Sequence, residues 1–141
     1  MSVFEKILVP LDGSDHSLSA LEKAIQIAKK FDGKITLINV YSVSSFRLTP
    51  SQVFAYVVEL RNSGESILAE GEKIAKAEGI QVETLLKEGH IVEEILKKAR
   101  EGNFDLIVIG ARGISKMKEI LLGSVSHGVT THAPCPVLVV K

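Results

Sequence analysis

The residues of this chain best suited to holding an anion are Gly110-Ala111-Arg112-Gly113, followed after nine residues by Gly123-Ser124. Glycines at three fixed points let backbone N–H groups approach a phosphate without interference from a Cβ. Ser124 adds a hydroxyl at the start of a helical stretch running to about His132, where unpaired N–H groups and the helix dipole favour negative charge. At ordinary glycine, serine and threonine frequencies this spacing arises in roughly 0.5% of chains of such length, which favours a binding loop over glycines that merely permit turns. The insert Ile114–Leu122 predicts a short helical turn presenting Lys116 and Lys118.

A second loop, Pro10-Leu11-Asp12-Gly13-Ser14, brings a carboxylate to the end of an apolar run. Asp12 could accept hydrogen bonds from ribose hydroxyls or help hold a metal, but the local pattern alone favours a turn residue, since Asp-Gly is a common loop dipeptide. Ser14 has the position of a helix N-cap. No G-x-x-x-x-G-K-[ST] is present and no G-x-G-x-x-G follows the first strand, so a phosphotransferase of the usual P-loop kind is not expected.

His16, His90, His127 and His132 have no metal-ligand spacing among themselves or with Cys135; surface or cap roles are expected, His90 capping the third helix. Cys135 lies between Pro134 and Pro136 and is the only cysteine. It cannot form a disulfide within the chain and suits a reducing, cytoplasmic setting; without a basic neighbour it reads as a structural thiol.

Five apolar, β-branched runs must carry these loops: Lys6–Leu11, Lys34–Val40, Ile80–Leu86, Asp105–Gly110 and Pro136–Val140. The first, fourth and fifth are almost continuously apolar, as strands covered on both faces are. Helical periods separate them: Leu18, Leu21, Ala24, Ile25, Ala28 and Phe31; Val57, Leu60, Gly64, Ile67, Gly71 and Ile74; Ile91, Ile95, Leu96 and Ala99. Gly33, Gly79 and Gly102 end three helices just before a strand, as left-handed caps do.

This alternation predicts a single α/β domain over residues 1–141, with a doubly wound five-stranded parallel sheet. It would be Rossmann-like, in the order 3-2-1-4-5, with helices on both faces. Ligands bind such sheets beyond the strand C-termini where the order reverses, here the loops following Leu11 and Ile109.

With 141 residues, 45% hydrophobic and 24% charged, the chain can bury a core. Its 17 basic and 17 acidic side chains give a net charge of +0, which argues against non-specific grip on nucleic acid or an anionic membrane. Neither a signal peptide nor a membrane span is legible.

Val9-Pro10-Leu11-Asp12-Gly13-Ser14, Gly110 through Val125 (with its Lys118–Val125 stretch) and Pro134–Val140 together resemble the universal stress protein family, in its ATP-binding subgroup. The resemblance covers the full length. It implies ATP, with ADP or AMP as alternatives, and Mg2+ or Mn2+ between the phosphates. It places Asp12, with the backbone around Pro10, Leu11 and Val40, at adenine and ribose. Ile109, Gly110, Arg112 and Gly113 would lie on the ribose and phosphate side, and Gly123, Ser124 and Val125 at the phosphates. The implied function is a nucleotide-dependent regulatory or stress-response module with slow or no intrinsic hydrolysis, acting on an unidentified protein partner. A genuine ATPase or adenylate-handling enzyme, and a flavin- or phosphate-compound-binding module, are the alternatives. Pro136–Val140 is a bare apolar edge that invites pairing, and relatives commonly dimerise through this strand. Tyr41–Ser51, bearing Ser42, Ser44, Ser45, Phe46 and Arg47, is expected to form a flap over the nucleotide.

Overall fold

The computed structural model describes residues 3–43, 47–113 and 122–141. Its elements run β1 (Lys6–Pro10), α1 (Asp15–Phe31), β2 (Lys34–Tyr41), α2 (Pro50–Ala77), β3 (Val82–Glu88), α3 (Ile91–Glu101), β4 (Leu106–Gly110), α4 (Ser124–His132) and β5 (Val137–Val140). All pairings are parallel and the order is β3-β2-β1-β4-β5, as the alternation predicts.

Two apolar clusters flank the sheet. On one face Ile7, Val9, Ile35, Leu37 and Val108 meet α1 through Leu21, Ala24 and Ala28, and α2 through Leu68 and Ala75. On the other, Leu8, Ile38, Ile107 and Ile109 meet Ile95 and Ala99 of α3 and Val129 of α4. The central strands β1 and β4 are covered on both sides. β5, equally apolar in sequence, lies at an edge and is only half-buried, with Leu138 37% exposed. An apolar run cannot by itself distinguish a central strand from an edge strand.

Helix ends depart from the expected pattern in an instructive way. Gly79 does take the left-handed conformation, at φ +77°. After α1 and α3, however, Asp32 (φ 54°) and Asn103 (φ 53°) take it instead. Gly33 and Gly102 serve close approach: a Cβ would fall 2.5 Å from the Phe4 carbonyl oxygen at the first and 2.4 Å from the Phe104 ring at the second. Ile80, expected to open the third strand, instead turns the chain, its N–H donating to Ala75 O at 3.1 Å.

α2 is anchored at its start by a capping box between Thr49 and Gln52, with Pro50 in its first turn. Its buried residues are Gly64, Leu68, Gly71 and Ala75. The stripe is therefore shifted toward the C-terminus from the expected one, and Val57 and Leu60 are only half-buried. Ser44–Phe46 and the predicted turn over 114–121 lie outside the described residues. Of the Tyr41–Ser51 segment expected to form a flap, Tyr41 belongs to β2 and Pro50 and Ser51 to α2. Among the described residues, no helix is long and apolar enough to cross a membrane.

Candidate functional site

β1 and β4 pair side by side, Ile7 with Leu106 and Leu8 with Ile107. The chain leaves them toward opposite faces, through α1 after β1 and α4 after β4. An order reversal of this kind, beyond the strand C-termini, is where parallel sheets take their ligands.

On the β1 side, Asp12 takes the turn role open to it in the sequence. Its Oδ1 accepts the Ser14 N–H at 2.9 Å, and Ser14 Oγ caps α1 by accepting the Ser17 N–H at 3.1 Å. Its Oδ2 faces the second loop, where a Cβ added to Gly113 would lie 2.6 Å away. The two loops named from the sequence therefore meet, and Gly113 is what lets them. Gly13, at φ +86°, sits beneath Ile67 of α2. The buried Asn39 completes this side by donating its Nδ2 to Leu11 O at 2.8 Å.

On the β4 side, Ala111 is the hub. Its N–H donates to Val140 O at 2.7 Å, and its carbonyl accepts the Gly123 N–H at 2.8 Å. The Ser126 hydroxyl donates to the same carbonyl at 2.8 Å. These bonds bring the start of α4 back to the end of β4. Gly123 occupies the α4 N-cap without any side-chain cap, and no acidic residue stands in the first turn. The N–H groups at Ser124 and Val125 thus begin a helix whose end is open to an anion. Ser124 is exposed and Val125 half-buried.

The remaining expected residues divide between crevice and core. Pro10, Val40 and Arg112 are half-buried near the strand ends. Leu11 and Ile109, 3% and 4% exposed, belong to the two cores and can offer the crevice only their backbone. Gly110 is also buried; a Cβ there would stand 2.7 Å from the carbonyl carbon of His16, so its bareness admits the first turn of α1 against β4. His16 Nδ1 is buried there with no hydrogen-bond partner among the described residues.

Two residues escaped the motif reading, Asn39 and Ser126, while His16, expected in a surface or cap role, packs its backbone against Gly110 with Nδ1 buried. Asn39 had a visible signal, a lone amide in an otherwise apolar strand end. Ser126 carried only the three-residue spacing from Gly123. His90 does occupy the N-cap of α3, but makes no side-chain cap bond. Burial first, and then the negative charge of Asp105, push the Cys135 thiol above its ordinary pKa, which fits a structural thiol.

Among the described residues no three His, Cys, Asp or Glu side chains converge on a point. The donor set fits a divalent cation only if phosphate oxygens supply most of its ligands, a common arrangement for magnesium, with Asp12 at hand.

The family model for the universal stress protein family matches residues 4–141. A curated relative, universal stress protein YxiE of Bacillus subtilis, is 36% identical, over 99% of this chain and 100% of its own. The structure of UspA from Lactobacillus plantarum superposes with a TM-score of 0.88 at 25% identity, covering 98% of each chain. A universal stress protein solved in complex with cAMP superposes at 0.76, with 31% identity and 99% of each chain covered. This chain belongs to the universal stress protein family.

Proposed function

We propose that the chain binds an adenine nucleotide, ATP foremost with ADP or AMP as alternatives, in the β1/β4 crevice. In this reading residues 1–141 act as one nucleotide-binding unit, and the bound nucleotide sets which regulatory partner is engaged. The observation that carries the proposal is the meeting of Asp12 Oδ2 with Gly113 across the crevice, beside the uncapped N-terminus of α4. A carboxylate oriented by the Ser14 N–H suits ribose hydroxyls. Backbone N–H groups at Ser124 and Val125 suit phosphates, and Gly123, whose own N–H is given to Ala111 O, would let a phosphate approach without a Cβ in the way. The cAMP complex of a relative 31% identical supports the adenine side of this assignment.

Pro10 and Val40 would border the base, with Leu11 behind. Ile109 and Gly110 would shape the floor, and Arg112 and Gly113 the ribose and phosphate side. Magnesium or manganese would neutralise phosphate charge, with Asp12 as the protein's contribution. Hydrolysis is slow or absent in this reading. The free Cys135 suits the cytoplasm, where ATP is abundant, and the half-buried β5 edge suits a homodimer.

Calorimetric titration with ATP, ADP, AMP and cAMP, each with magnesium, tests the proposal. Saturable binding that is weakened about tenfold by Asp12→Asn is expected, the loss of one charge-assisted hydrogen bond. No binding of any of the four to the folded chain would overturn it. Steady phosphate release well above background would transfer support to the ATPase alternative.

A further inference from the structure

The opposite edge of the sheet carries a second pattern. β3 is seven residues long, and among the described residues no strand covers its outer side. The Ile35 N–H donates to Gln81 O and the Gly89 N–H to Tyr41 O, both at 3.0 Å. Odd-numbered residues of this strand therefore turn their main-chain groups toward β2, and Val82, Thr84, Leu86 and Glu88 turn theirs outward. An outward row of this length would ordinarily be blunted by charge. Of its exposed charges, Glu83, Lys87 and Glu88, the first two stand symmetrically about Leu85.

We infer that β3 pairs antiparallel with β3 of a second copy of this chain, about a two-fold axis through Leu85. In that register Glu83 lies directly opposite the copy's Lys87, and Lys87 opposite its Glu83. Thr84 faces Leu86 and Val82 faces Glu88, so residues with outward main-chain groups oppose one another and exchange hydrogen bonds. Neighbouring registers that also match the outward groups put Glu83 opposite Leu85, or Leu85 opposite Lys87, and lose both charge pairs.

The helix layer agrees with the strands. α2 rides over β2 and β3, its Gly64 against Asn39 and Leu86. With strands about 4.8 Å apart, the copy's α2 would lie about 10 Å away, a helix-packing distance. At a rise of about 1.5 Å per helical residue against about 3.3 Å per strand residue, the axis crosses α2 near Ser66. Arg61 of one copy then meets Glu72 of the other. Between them each copy has an open groove of about 340 Å³ beside Leu68, Ala69, Thr84 and Leu86, which the neighbouring helix would fill. Association through this edge is separate from any pairing through β5.

Sedimentation equilibrium at micromolar concentration tests the inference, with circular dichroism as the check on folding. Glu83→Lys and Lys87→Glu each set like charges opposite across the axis. Each should raise the dissociation constant about tenfold. The double variant E83K/K87E, and a one-to-one mixture of the two single variants, should restore it. Leu138→Lys, at the other edge, should leave this association in place. Folded single variants that sediment as the wild type, a folded double variant that fails to recover, or a monomeric wild type would each overturn it.

Discussion

At the residue scale, the account rests on small groups held close to backbone. Gly110 admits the first turn of α1, where a Cβ would collide with main chain 2.7 Å away. Gly110→Ala should therefore lower stability by about 2 kcal/mol, as overpacking of a filled site does, measurable by urea denaturation. Ser126 is 2% exposed and donates to Ala111 O. Ser126→Ala should cost about 1 kcal/mol and weaken ligand binding as well, because the same bond sets α4 against the β4 loop. For Cys135 the raised pKa lowers the thiolate fraction. At pH 8 the folded chain should alkylate more slowly than the urea-unfolded chain, and faster alkylation when folded would contradict the assignment. The glycine spacing and Asp12 were legible as residues, and the geometry brings Asp12 and Gly113 together. The division of labour was not legible: a glycine written for phosphate approach, Gly110, faces a helix turn, and only packing reveals which neighbour a missing Cβ admits.

At the element scale, α2 is the unexpected feature. Its first buried residue is Gly64, fourteen residues after Pro50, so about 21 Å of helix precedes its first buried contact. Phe54, 72% exposed, lies on that length. The capping box keeps it helical. Thr49→Ala should remove about 1 kcal/mol. Because this turn carries no buried residue, the change should speed amide hydrogen exchange over the first turns of α2 about fivefold and leave exchange in β1 and β4 unchanged. Strand and helix order was readable because short β-branched runs alternate with three-and-four spacing. Their ends were less so, since Ile80, Asp32 and Asn103 are set by turn geometry that apolar periodicity does not encode.

At the scale of the whole molecule, one parallel sheet presents three different borders. Its C-terminal rim holds the candidate nucleotide crevice, β5 one apolar edge and β3 one self-complementary charged edge. A ligand in the crevice bridges β1, β4, α1 and α4, so binding should stabilise the fold as a whole. With ATP and magnesium at one hundred times the dissociation constant, about 2.7 kcal/mol of linkage should raise the melting temperature by about 9 °C. Asp12→Asn should shrink that rise at the same ATP concentration. The reversal between β1 and β4 was legible from the strand order alone; the pairing capacity of β3 required knowing which of its residues turn outward.

The most direct test of the central claim is an amide ¹⁵N–¹H spectrum of the chain titrated with ATP and magnesium. The account predicts saturable shifts concentrated at Asp12, Gly13, Gly113, Gly123, Ser124 and Val125, with β3 and α3 little affected. Shifts confined to other surfaces, or none at millimolar ATP, would contradict it.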